Sequence, residues 1–186
     1  MDIAIVAAKR TPMGAFQGAL AEVTAPELGA YAIEAALQQS GLRPEQVDEV
    51  FMGNVLAAGV GQAPARQALL KAGLPDSVPA TSVNKVCGSG MKAVMLAADT
   101  IRLGDNRVVV AGGMESMSRA PYLLDNARSG FRMGHQKVLD HLFLDGLQDA
   151  YDGQLMGVHA QRSADLAGLT RSAMDEFALA SLQRAR

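Results

Sequence analysis

Asn84-Lys85-Val86-Cys87-Gly88-Ser89-Gly90-Met91 holds the chain's one cysteine at a point where two patterns meet. Upstream, Pro79-Ala80-Thr81-Ser82-Val83 reads as a short strand. Downstream, Met91, Val94, Met95, Ala98 and Ile101 recur at helical spacing as far as Leu103, and only Lys92, Asp99 and Arg102 give a narrow polar edge. A helix so apolar is expected to be buried in a sizeable protein. A strand, a glycine-rich joint and a helix in that order point to an α/β protein. A helix N-terminus exposes unpaired N–H groups and a partial positive charge. Both favour the thiolate, the reactive form of cysteine, and the same N–H groups can hold an oxyanion. Cys87 is therefore a candidate nucleophile. The other reading, a small structural cysteine packed against the next helix, stays open at this level. The hydrolase nucleophile elbow does not fit, because Lys85 stands where that motif needs glycine.

Working outward, the same alternation continues. Ile3 to Ala8 is an apolar run expected to form a strand buried on both faces, ended by Thr11-Pro12. A glycine-punctuated loop follows, with Phe16 as its expected anchor. Thr24-Ala25-Pro26-Glu27 starts a helix by the capping-box pairing, and Gly41 ends it. Val47 to Asn54 is a second strand, Gln62 to Ala72 a helix, and Arg107 to Ala111 a third strand that finishes in Gly112-Gly113, a tight turn on general grounds. Composition shifts after Ser118. Two further helices are expected, Leu155 to Leu166 and Ser172 to Arg186.

The 186 residues are 49% hydrophobic and 19% charged, enough for a large core and too apolar for disorder. A net charge of -2, no basic stripe and no tryptophan argue against nucleic acid as a partner. No apolar run reaches membrane-spanning length and no leader is visible, so a cytoplasmic protein without membrane association is expected. One cysteine rules out an internal disulfide. His135, His141 and His159 lack the spacing of a metal site, and no metal is expected. As isolated residues, His135 and His141 read as surface or loop positions, with a base for Cys87 as the lesser alternative. His159, near Met156 on a helix, could line a ligand pocket.

The segment around Cys87 resembles the active-cysteine segment of the thiolases. The resemblance extends through Val6-Ala7-Ala8-Lys9-Arg10-Thr11-Pro12, Gly53-Asn54-Val55-Leu56, Gly61-Gln62-Ala63-Pro64-Ala65-Arg66, Gly112-Gly113-Met114-Glu115-Ser116-Met117-Ser118, Asp145-Gly146-Leu147 and Met156-Gly157, and so covers essentially the whole chain. It is closest to the acetyl-CoA C-acetyltransferase branch. It implies a layered α/β fold with a mixed five-stranded sheet. Residues 1–117 would form the N-terminal α/β domain and residues 118–186 the beginning of an inserted coenzyme A-binding loop domain. A C-terminal α/β half would be absent from this chain.

The implied activity is reversible Claisen condensation and thiolysis of acetyl-CoA and acetoacetyl-CoA, or longer 3-ketoacyl-CoA, in lipid and fatty acid metabolism. Cys87 would carry the acyl group as a thioester, with the Cys87 and Gly88 backbone as oxyanion donors. Leu155, Met156 and His159 would contact substrate or coenzyme A, and Arg119, Arg128 and Arg132 are weaker candidates for its phosphates. Coenzyme A thioesters are substrates, and no prosthetic group is implied. The activating histidine, the second cysteine and an asparagine-bound water would come from the C-terminal half, so this chain alone should be inactive. The whole protein would be a homodimer or homotetramer. A condensing enzyme of fatty acid or polyketide synthesis, or a non-catalytic lipid-binding or scaffold fragment, are the alternatives. Leu155 departs from the histidine frequent before Met156 in acetyl-specific members.

Overall fold

A computed structural model describes residues 2–185. The chain forms two compact units, Met1–Gly146 and Leu147–Arg186.

In the first unit, α1 (Ala25–Ser40) starts where the sequence predicts: Glu27 accepts the Thr24 N–H at 2.9 Å and the Thr24 hydroxyl at 2.6 Å. These bonds hold the Glu27 carboxyl below its ordinary range. Gly41 closes the helix at φ 69°, a left-handed conformation that glycine adopts without a Cβ penalty. Three strands follow, β1 (Glu49–Gly53), β2 (Ala80–Val83) and β3 (Val109–Gly113), joined through α2 (Pro64–Lys71) and α3 (Ser89–Leu103). They form a parallel sheet in the order β2-β1-β3. Register brings Gly53 opposite both Val83 and Gly113, so all three strands end at one edge.

The layering follows from handedness. From β1 the chain steps to one side through α2, then back across to the other side through α3. Right-handed crossovers put those two helices on opposite faces of the sheet. The alternation of β1 agrees. Val50 and Met52 join Ile33, Leu37, Leu69 and Met114 in one core, while Phe51 meets Ala93 and Ala97 of α3 in a second, smaller one. The expected α/β layering is present. A separate antiparallel pair, β4 (Tyr122–Leu123) with β5 (Leu139–Asp140), holds part of the segment beyond Ser118.

Four expectations need correction. Residues 3–8 form no strand, and Ile5 and Val6 are 81% and 65% exposed. An apolar run becomes a strand only beside a partner, and among the described residues this segment has none. Its end runs past α1 instead, with the Ala8 N–H on Gln39 Oε1 at 3.3 Å. Phe16 does not anchor its loop; it is exposed, and the loop is held by Gln17, whose N–H donates to Ser118 Oγ at 2.9 Å. Helix α3 is not enclosed, since it buries only Ser89, Ala93 and Ala97 and leaves Met91 and Met95 exposed. Gly112 and Gly113 are the last residues of β3, not a turn.

In the second unit, α4 (Met156–Leu166) and α5 (Arg171–Ala185) match the predicted helices to within a residue or two. No helix among the described residues is long and apolar enough to cross a membrane.

Candidate active site

Neighbouring strands β1 and β2 send their outgoing loops to opposite faces of the sheet, which opens a crevice at their carboxyl ends. Open α/β sheets place ligands at such switch points. The loop leaving β2 into this crevice is Asn84–Gly88, and Cys87 is exposed within it.

The start of α3 is seated on bare backbone. A Cβ on Gly53 would lie 2.7 Å from the Ser89 carbonyl carbon and 2.8 Å from the Gly90 nitrogen. A Cβ on Gly113 would lie 3.4 Å from the Gly90 Cα. The glycines at the ends of β1 and β3 thus let the first turn of α3 sit directly on the sheet edge. This close approach is the reason for Gly113, where sequence reasoning gave only a turn.

Within the loop the Lys85, Val86 and Gly88 N–H groups are bonded. Asn84 Oδ1 accepts the Val86 N–H at 2.9 Å, and the Lys85 carbonyl accepts the Gly88 N–H at 3.1 Å. The Cys87 N–H makes no hydrogen bond among the described residues. Of the two expected oxyanion donors, Gly88 is therefore engaged within the turn and Cys87 is unengaged. A thiol beside a free N–H can attack a carbonyl carbon while that N–H receives the developing oxyanion.

The loop leaving β1 is braced from two sides by residues that sequence reasoning missed. Glu115, just beyond β3, accepts the Val55 N–H at 2.8 Å, the Leu56 N–H at 3.1 Å and the Asn54 side-chain amide at 2.8 Å. Burial pushes the Glu115 carboxyl above its ordinary range, against the pull of those donors. Asn54 is 4% exposed, and its Oδ1 has no partner among the described residues. His141 is not a surface residue. It is 4% exposed, accepts the Ala58 N–H on Nε2 at 3.3 Å, and has Nδ1 2.6 Å from Asp145 Oδ2. A ring that accepts at Nε2 carries its proton at Nδ1 and donates it to Asp145. His141 is therefore a bracing residue, committed on both nitrogens. The presence of Glu115 within Gly-Gly-Met-Glu-Ser was the available signal; for His141 the local signal was Asp145 four residues on, while its other partner, Ala58, lies 83 residues away.

Leu155, Met156 and His159 belong to the second unit. Leu155 directly precedes α4 and Met156 is its first residue, both exposed. His159 lies one turn along, with Nε2 3.5 Å from Asp152 Oδ1. Potential ligand atoms of Asp149, Asp152 and His159 lie within 4.8 Å of one another, a grouping that histidine spacing did not reveal. The acids have other duties. Asp149 Oδ2 accepts the Tyr151 and Asp152 N–H groups at 2.8 Å each, which holds its carboxyl below the ordinary range, and Arg162 lies 3.7 Å from Asp152. In the first unit Arg119 lies 3.4 Å from Glu22, and Arg128 and Arg132 are exposed.

Residues 3–186 match the family model described as "Thiolase, N-terminal domain". The chain is 56% identical over 184 residues to an acetyl-CoA acetyltransferase of Cupriavidus necator, covering 99% of this chain and 47% of that protein. It is also 56% identical over 184 residues to an acetyl-CoA acetyltransferase of Pseudomonas aeruginosa, with the same coverage. A probable acetyl-CoA acyltransferase of Staphylococcus aureus is 49% identical over 183 residues, 98% of this chain and 47% of that protein. The chain thus spans about half the length of the curated relatives it matches, at 47% of each.

Proposed function

The chain belongs to the thiolase family through its N-terminal domain, and from that premise we propose that it supplies the acyl-carrying half of an acyl-CoA C-acyltransferase. The observation that carries this reading is Cys87, an exposed thiol at the start of α3 and at the switch point of the sheet. The Cys87 sulfur, as thiolate, attacks the carbonyl carbon of an acyl-CoA. The carbonyl electrons move to oxygen and the Cys87 N–H receives that charge. Collapse of the intermediate expels the coenzyme A thiolate and leaves an acyl thioester on Cys87. In the synthetic direction the α-carbanion of a second acetyl-CoA attacks this thioester and the Cys87 thiolate leaves; in the degradative direction Cys87 attacks the 3-keto carbonyl of a 3-ketoacyl-CoA, acetyl-CoA leaves as its α-carbanion and is protonated, and the coenzyme A thiolate then takes the acyl group from Cys87.

Two similar relatives carry the name acetyl-CoA acetyltransferase, which supports acetyl-CoA and acetoacetyl-CoA as the substrates. The groups that activate Cys87 and abstract the α proton belong, in this reading, to a C-terminal half of the same polypeptide. The exposed Met91 and Met95 near Cys87 support α3 as its packing surface. Residues 1–117 are then the N-terminal α/β domain, and residue 118 onward begins the inserted coenzyme A-binding domain. The contacts assigned to Leu155, Met156 and His159 rest on family resemblance alone. The whole protein is proposed to be cytoplasmic, where a free thiol stays reduced, and homo-oligomeric.

The test is a fusion of this chain to the C-terminal half of the Cupriavidus necator relative. The fusion should cleave acetoacetyl-CoA with added coenzyme A, and Cys87→Ala should abolish turnover. A folded fusion without activity, or activity that survives Cys87→Ala, contradicts the proposal.

A further inference from the structure

The loop that carries Cys87 holds a backbone conformation that its sequence disfavours. Val86 has φ +47°, in the left-handed region. A β-branched residue is an outlier there and persists only where its surroundings over-determine it. Packing does not do so, because Val86 is 51% exposed. Hydrogen bonds do: the Val86 N–H donates to Asn84 Oδ1 at 2.9 Å, and the others come from Ser89. The Ser89 hydroxyl donates to the Val86 carbonyl at 2.6 Å and accepts the Lys85 N–H at 2.8 Å. The Ser89 N–H donates to the same Val86 carbonyl at 3.0 Å. Ser89 is itself 5% exposed and fixed in the first turn of α3, whose backbone rests against Gly53.

We propose that Ser89 is the positioning residue of the nucleophile: its hydroxyl holds Val86 in the left-handed conformation and so aims the Cys87 thiol and N–H out of the turn. This rests on the reading of Cys87 as the acyl-accepting nucleophile. The chemistry requires a hydroxyl at this place. One small group must donate to a carbonyl on one side and accept an N–H on the other, and a serine oxygen does both within a single turn. If the hydroxyl is lost, the Val86 peptide is free to relax to negative φ. That rotates the peptide joining Val86 to Cys87 and turns the Cys87 N–H away from its present direction. Among the described residues the Ser89 hydroxyl is bonded to Lys85 and Val86 and not to the Cys87 thiol, so its effect passes through Val86. Glycine at position 86, which adopts positive φ without strain, should make the hydroxyl largely dispensable.

The experiment compares Ser89→Ala, Val86→Gly and the double variant, each in the two-half fusion. Three quantities are read: acyl transfer as kcat and KM, the rate of iodoacetamide alkylation at the Cys87 peptide, and thermal melting. Ser89→Ala should lower kcat by about 100-fold with little change in KM, the scale expected when a reacting group is displaced by about 1 Å, and should slow alkylation. Val86→Gly should stay near the parent, and the double variant should recover most of both rates. Parent-like rates in Ser89→Ala overturn the proposal. So does a folded double variant as impaired as Ser89→Ala. Should Ser89→Ala fail to fold, the double variant carries the test: recovery of fold and alkylation supports coupling through Val86, and failure to fold again overturns it. Iodoacetamide needs no acyl-CoA. A parent protein that is alkylated at Cys87 but never acylated sinks the functional reading and still leaves the role of Ser89 measurable.

Discussion

The two faces of the parallel sheet are finished to different degrees. On one, Ile33 and Leu37 of α1 and Leu69 of α2 close over Val50, Met52 and Met114. On the other, α3 covers the sheet with little more than Ala93 and Ala97 against Phe51, while Met91, Val94 and Met95 stay outside. Both helical layers are rich in apolar side chains, yet among the described residues only one is closely covered. The finished face supplies the stability of the fold. The unfinished face carries the cysteine at its rim and a methionine stripe beside it. Covering such side chains would be worth roughly 1.5–3 kcal/mol each, the driving force on which the proposed docking of a C-terminal half would draw.

Paired substitutions can break this contrast. Leu69→Ala, at a fully buried position, should cost about 2–5 kcal/mol by urea titration. Met91→Ala, 74% exposed, should change stability by no more than about 0.5 kcal/mol. Equal losses at the two sites would mean that the faces are equally closed.

Next in size is the joint between the layers. Gly53→Ala places a methyl where the backbone of Ser89 and Gly90 already lies, so about 1–3 kcal/mol should be lost. Iodoacetamide should also react more slowly with Cys87, because α3 must lift from the sheet edge. A variant that is destabilised yet keeps parent alkylation would separate the seat from the thiol.

The smallest effect sharpens the contrast at the far end of the sheet. Asp48 accepts the Arg107 and Val108 N–H groups at 2.7 and 2.8 Å, which depresses its pKa. A depressed carboxylate contributes stability that is present above its unfolded value, about 3.9, and is lost as pH falls through the lower folded value. Asp48 is exposed, so the contribution is under about 1 kcal/mol. Stability curves of the parent and Asp48→Asn should differ at neutral pH and converge as pH falls through the lowered folded value. A gap that widens in acid would reverse the sign of the account.

What was legible in the sequence had its causes nearby. Thr24 and Glu27 begin α1, Gly41 ends it, and the valines of Arg107 to Ala111 mark a strand, because caps and periodicity act within a few residues. What was misread depended on distant partners. Ile3 to Ala8 has the composition of a central strand but no neighbour to pair with. The apolar surface of α3 implies burial, and among the described residues nothing covers it. His141 looked like a loop residue because Ala58, the partner that ties it to the loop after β1, lies far away in sequence; only Asp145 is near. Cys87 was legible through its glycine-flanked helix start and the matching segments around it. The parts that aim it were not, since Val86 reveals its positive φ and Ser89 its two hydrogen bonds only once the loop is folded.

The central claim is that Cys87 carries the acyl group, and acid-quenched acylation tests it most directly. The two-half fusion, mixed with acetyl-CoA and digested, should show a single acetyl group on the peptide containing Cys87, labile to hydroxylamine and absent in Cys87→Ala. Acetylation at another residue, or none on Cys87 in a folded and active protein, would contradict the account.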